Sequence, residues 1–488
     1  MNSSPVVAIV KTMMDSYPRI PPFHPPEKYP EYPFPVPASD EQNSIYPAVR
    51  QLFTLLKMDK NNWGRQEWNP LGEIIQPGDK VVIKPNFIMH WHWGQGDVHS
   101  VITHGSVLRA VLDYVVIALQ GRGHIIVADA PMGSGDFAQI VQVSGLDGVQ
   151  QYYLEQGLTV DLIDLRTRRH MVMDNIAVGQ EALAGDLAGY AVVDLRDQSA
   201  FVGIAFPERL RGSDFECEET IAHHSGGHHA YYVSRSVLEA DVVINLPKLK
   251  THTKAGVTLN LKNAVGINGD KNWIPHFRVG GPSHGGDEFP ERGLIRQWMS
   301  QVEDAVKQRV PHMSGPALFL TRKVKRGHKA YCDLMGWTPY RNGGWYGNDT
   351  LWRSVLDLNR ILLYADREGI IQPQKQRRLF SLVDGIVAGE RNGPLYPQAK
   401  PCGLLLAGED LLALDLCAAR LMGFDYRKIP HLAHALEPHS LSLGINGTEE
   451  IVICSNMTEW ENLWTDSVDR FLDFTPADGW RGHIEIET

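Results

Sequence analysis

Short apolar runs alternate along the chain with stretches whose apolar residues recur at helical spacing. Lys80–Ile83, His124–Ala128, Asp241–Leu246, Arg378–Val383 and Gly403–Leu406 read as strands with little alternation between apolar and polar positions. Val107–Gln120 and Leu411–Met422 carry the helical period. Strands buried on both faces and separated by helices predict an α/β fold, a mainly parallel sheet flanked by helices. Val6–Val10 supplies a first strand. The proline-rich stretch from Pro18 to Pro37 cannot be helix or central strand, and Tyr17, Phe23, Tyr29, Tyr32 and Phe34 predict an extended arm packed on the surface. Between Asp287 and Lys375 the strand–helix rhythm stops. That stretch holds Arg322, Lys323, Lys325, Arg326 and Lys329, then Trp337, Tyr340, Trp345, Tyr346 and Trp352, and predicts a mostly helical, basic and aromatic insertion. The expected organisation is a strand and arm over 1–78, an α/β core over 79–286 and 376–457, the insertion over 287–375, and a tail over 458–488.

Composition narrows the function classes. The 488 residues are 43% hydrophobic and 21% charged with a formal charge of -10, an ordinary globular balance that gives nucleic acid no overall basic face. Five scattered cysteines without a Cys-x-x-Cys pair exclude a disulfide framework, a cysteine zinc site and an iron-sulfur cluster. No apolar stretch approaches the ~20 residues of a membrane span. The initial apolar run is too short for an export signal. A cytoplasmic protein without a membrane partner is therefore expected. There is no phosphate loop, no His-Glu-x-x-His and no dinucleotide fingerprint after the first strand, so NAD is not expected. Gly281-Pro-Ser283-His-Gly285 has the letters of a nucleophile elbow but neither the strand before nor the helix after, and reads as a loop turn.

In an open parallel sheet, ligands bind beyond the carboxyl ends of the strands. Those ends carry Lys84 and Asn86, then Asp129, then Lys248, Lys250, Thr251 and His252, and finally Asp384. If the strands are neighbours, these residues meet in one cleft. The polar, Gly-rich chain from Thr251 to Asp287 adds Lys262, Asn263 and His276 and is expected to close over that cleft, anchored by Val257, Leu259 and Leu261. Lysines there suit a phosphate, carboxylate or sulfate. The cluster His90, His92, His99 and His104 and the cluster His223, His224, His228 and His229 add imidazoles suited to zinc, iron, nickel or manganese.

The motifs Val81–Asn86, Ile125–Pro131, Leu238–Asn263, Val383–Pro394 and Gly403–Gly423 resemble the DUF362 family, a domain family of unknown function. The resemblance implies an α/β fold and supplies no substrate. Some relatives carry ferredoxin-like cysteine motifs, absent here, and the Pro-rich arm and the insertion after Asp287 resemble features of a longer subgroup. At the level of fold alone the chain is also similar to the catalytic domain of nickel-pincer lactate racemases. The leading expectation is an enzyme acting on an anionic small molecule, of a metal-assisted hydrolase or transferase kind or a racemase-like kind. In it Lys250, His252 and Lys262 are catalytic, and Lys84, Asn86, Lys248, Thr251, Asn263 and His276 bind substrate. Asp129, Asp384, His104 and His224 would serve a divalent metal of undefined identity. A binding protein for a metal or an anionic metabolite, without turnover, needs the same cleft. Nucleic-acid modification through the insertion ranks third, and homo-oligomerisation is left open.

Overall fold

The computed structural model describes residues 4–35, 43–173, 176–212, 216–290, 293–309, 323, 327, 330–337, 340–465 and 471–487. Ten strands form the central sheet: β1 (Val6–Lys11), β2 (Lys80–Pro85), β3 (His124–Asp129), β4 (Asp161–Asp164), β5 (Val242–Leu246), β6 (Lys248–His252), β7 (Gly256–Thr258), β8 (Arg378–Glu390), β9 (Gln398–Gly408) and β10 (Val452–Ser455). Their spatial order is β10-β1-β9-β8-β5-β2-β3-β4, with β6 beside β8 and β7 beside β6. Six of the nine ladders are parallel, so the sheet is mainly parallel as expected; β1 with β9, β8 with β9 and β6 with β7 are the antiparallel ones.

Alternate residues of each strand enter two separate cores. Val81, Ile83, Val127, Ile244 and Phe380 face helices Ile45–Leu55 and Gly105–Leu119 together with the aromatic residues of the N-terminal arm. Val82, Ile126, Val243 and Val383 face helices Leu351–Tyr364 and Leu411–Leu421. Burial on both faces explains the apolar runs without alternation.

One local feature sets the position of the site. Pro247 ends β5 and has no N–H to continue a ladder, but its carbonyl accepts from Asp384 N at 2.9 Å. The chain then resumes as β6 along the far half of β8, which is 13 residues long. Lys248, Lys250 and His252 thereby share one side of a strand beyond the main sheet's carboxyl edge.

The arm packs as expected, with Phe23, Tyr29, Tyr32 and Phe34 all buried. The described part of the insertion is mostly helical, including Leu294–Arg309 and Leu351–Tyr364. Of its basic run, Arg322, Lys325, Arg326 and Lys329 lie outside the described residues. Trp345 and Trp352 are buried, and the Trp352 ring stacks on His434 of the body with centroids 4.0 Å apart, so this ring holds the insertion to the body rather than offering a stacking face. All five cysteines are free thiols. No helix among the described residues is long and apolar enough to cross a membrane.

Candidate functional site

The carboxyl ends of β2 and β3, the end of β6, β7 and the turns after it enclose a cavity of about 60 Å³. Lys84, Asn86, Asp129, His252, Lys262 and Asn263 all line it. That is room for a few waters, or for a small anionic group in their place.

Lys84 and Asp129, side by side on parallel strands, form a buried ion pair at 2.7 Å. Both Asp129 oxygens have further partners, Oδ2 accepting from Phe87 N at 2.6 Å and Oδ1 from Ala130 N at 2.8 Å. Asn263 Nδ2 donates to Asn245 Oδ1 at 2.8 Å, while its Oδ1 accepts from Asn86 Nδ2 at 3.0 Å. Lys250 stands behind this layer and donates to Asn86 Oδ1 at 2.8 Å and Val101 O at 2.5 Å. Burial, then Lys248 and Lys262, push its pKa well down.

Lys262 differs from these lysines. It is partly exposed and makes no hydrogen bond or ion pair among the described residues. Burial first, then Lys271, Lys254 and Lys84, lower its pKa to about 7 against the pull of Asp129. An amine so placed is half neutral near pH 7.

His252 has a defined tautomer. Its Nδ1 accepts from Lys254 N at 3.0 Å and Ala255 N at 3.2 Å, so the neutral ring carries its proton on Nε2. Burial and the neighbouring Lys262, Lys250 and Lys254 push its pKa well below the usual value. His252 therefore offers the cavity an N–H donor rather than a base. The Thr258 hydroxyl, also in the wall, is buried without a partner. His276 lies behind Lys254 and Lys262, which with burial lower its pKa, and its Nδ1 donates to Ile274 O at 2.7 Å.

Gly266 completes the wall. A Cβ there would come within 2.0 Å of Asp129 Oδ1 and 2.6 Å of Lys84 Nζ. Gly266→Ala is expected to push this pair apart at a cost of about 1–3 kcal/mol and to weaken anion binding, as read from denaturation and titration calorimetry.

The remaining expected site residues lie elsewhere. Lys248 and Asp384 form a second, fully buried pair at 3.1 Å. The Tyr17 hydroxyl reaches in from the arm, donating to Asp384 Oδ1 at 2.6 Å and accepting from Lys248. His104 N donates to Asp384 Oδ2 at 3.0 Å, and the His104 ring stacks on Tyr17 with centroids 4.1 Å apart. Its Nδ1 accepts from Ser106 N as a helix cap. The Thr251 hydroxyl holds the turn before Pro394 by donating to Arg391 O at 2.6 Å. His224 lines an open depression of about 500 Å³ with Arg196, Phe201 and His229. Asp129, Asp384, His104 and His224 thus stand in three separate places, and both carboxylates are saturated with protein donors. Among the described residues no group of three or more His, Cys, Asp or Glu side chains is arranged to hold an ion. The donor set read from the sequence does not fit a metal, and no step is derived through one.

Lys271 and Thr258 are wall residues that strand-end reasoning passed over. Lys271 Nζ donates to Ala130 O at 2.8 Å. Its signal was visible, since Lys271 stands in the same polar loop as Lys262; Gly266 carried none beyond being a glycine. The Gly281–Gly285 segment contains a 3-10 turn over Pro282–His284, as its lack of flanking elements suggested.

The family model described as a domain of unknown function (DUF362) matches residues 81–193 and 197–420. A thylakoid-associated protein of Synechocystis sp. is 22% identical over 365 residues, 74% of this chain and 69% of its own length. A crystal structure of a protein from Thermotoga maritima matches with 12% identity and a TM-score of 0.28, over 73% of this chain. The match spans 56% of that protein's length.

Proposed function

Because the chain belongs to the DUF362 family, whose description assigns no activity, we propose a function from the site itself: an enzyme that binds a small anionic molecule in the Lys84–Lys271 cavity and uses the Lys262 amine for the reaction. The observation that carries this reading is Lys262, a lysine without a hydrogen-bond partner among the described residues, in the wall of a cavity where Asp129, the one carboxylate among the described lining residues, is already paired with Lys84. An anion entering the cavity supplies a counter-charge for Lys262, which has none among the described residues. A neutral Lys262 amine takes a proton or attacks an electrophile at physiological pH. His252 Nε2–H, held by its tautomer, donates to an oxygen on which charge develops. Asn86, Asn263 and Lys250 keep the wall rigid.

A binding protein without turnover shares every feature except the use made of Lys262. Thermal unfolding in the presence of phosphate, sulfate and small carboxylates tests the common part, with a rise in midpoint expected for at least one. Turnover in a metabolite mixture, lost in Lys262→Met, separates the enzyme from the binder; binding with no consumption would favour the binder. The Synechocystis relative is thylakoid-associated, so a location at a membrane surface is the rival to the cytoplasm for this chain. Cell fractionation decides between them.

A further inference from the structure

Building on the anion-binding reading, we infer that the small molecule carries a carbonyl next to its anionic group, and that the Lys262 amine condenses with that carbonyl to form an imine. Imine formation is favoured where three things meet in one space: a free amine, a cation to fix the acid, and a hydrogen-bond donor to the departing oxygen. The cavity wall holds one of each. Lys84 is committed to Asp129, Lys271 donates to Ala130 O, and Lys250, outside the cavity, is held by Asn86 and Val101 O. Lys262 is the wall lysine without such a commitment among the described residues. Its cationic neighbours and burial keep it substantially neutral at pH 7, where an ordinary lysine is almost wholly protonated. Lys271 stands in the same wall to draw the acid group. His252 presents Nε2–H because Lys254 N and Ala255 N occupy Nδ1.

The step balances without any further reactant. The nitrogen lone pair of Lys262 adds to the carbonyl carbon, and the π electrons move to oxygen. The carbonyl oxygen leaves as water with two protons that the amine nitrogen gives up. Water carries these protons from nitrogen to oxygen, while His252 keeps its own and its Nε2–H hydrogen-bonds the departing oxygen. The C=N bond replaces the C=O bond, with no net oxidation or reduction. A carbonyl next to the acid group makes a small 2-oxo acid the simplest partner for this site.

The test uses the full chain, glyoxylate or pyruvate as the probe, and cyanoborohydride at pH 7 to trap an imine as a stable amine. Peptide mass mapping is expected to find the adduct at Lys262, formed about tenfold or more faster than at surface lysines. Excess phosphate should slow it. Lys262→Arg keeps the charge and cannot form the imine, so it should lose the adduct while phosphate still raises its unfolding midpoint. Labelling spread evenly over surface lysines, or absent at Lys262 while phosphate stabilises the wild-type protein, overturns the imine and leaves the anion site standing. Failure of both labelling and phosphate stabilisation overturns both.

Discussion

Asp384→Asn is expected to cost about 3–5 kcal/mol of stability, measured by chemical denaturation, because it leaves the Lys248 ammonium buried without its counter-charge. Both partners are completely shielded from solvent. Asp384 accepts from Tyr17, Lys248, His104 N and Ile386 N, so four donors lose a carboxylate at once. Burial already lowers the Lys248 pKa against the pull of Asp384, and without that pull the amine should become neutral rather than remain charged. The double replacement Lys248→Met with Asp384→Asn should therefore cost less than the sum of the two single changes. Phosphate affinity at the Lys262 cavity should be unchanged, since Asp384 and Lys248 are not in its wall. A cost below about 1 kcal/mol would show that the pair is solvated in solution.

Lys262→Met should act in the opposite direction on the free protein. The folded pKa of Lys262 is about 7 against an ordinary lysine value of 10.5. Above the unfolded value the amine is neutral in both states and costs nothing. As pH falls the unfolded chain takes the proton first, and the full cost is reached below about 7. Wild-type stability should therefore rise with pH between about 7 and 10, by about 2–4 kcal/mol after allowance for solvent in the cavity. Lys262→Met should remove most of that slope and stabilise the protein at pH 7, while weakening anion binding by about 1–3 kcal/mol, the scale of a lost charge-assisted hydrogen bond. Denaturation across pH and calorimetry at pH 7 read the two effects separately. A variant that unfolds while keeping its anion affinity would make Lys262 a structural residue.

Much of the site was legible because strand ends in a parallel sheet have a fixed chemical meaning. Lys84, Asn86 and Asp129 follow apolar runs and do stand together, because β2 and β3 are adjacent. His252 and Lys262 join them through the loop. Asp384 follows an apolar run just as plainly, but β8 continues past it to Glu390. Asp384 is therefore mid-strand, directly opposite Lys248 in the register, and is absorbed by a lysine and the arm's tyrosine. No local pattern marks where a strand will be prolonged by a second partner, since the ladder of β6 with β8 joins Lys248 to Asp384, far apart in the sequence. The part of Tyr17 was likewise hidden. A proline-rich segment shows that it must be extended but not which buried charge it will reach. A histidine cluster in the sequence does not by itself specify a metal, because imidazoles also cap helices and order turns, as His104 does at Gly105–Leu119 and His92 by accepting from Gly94 N and Gly96 N.

The place of β1 in the sheet bears on how the protein is made. β1 lies between β9 and β10, with Ala8 opposite Ala407 and Val6 opposite Val452. A ribosome adding about 5–20 residues per second delivers those partners roughly 20–80 s after β1 has emerged. During that interval β2, β3 and β5 can already associate, whereas Val6–Val10 is an unsatisfied apolar strand. It is a natural stretch for a chaperone to hold and for neighbouring nascent chains to pair with. Placing the first strand behind residue 455 by circular permutation would shorten the wait without changing any strand contact.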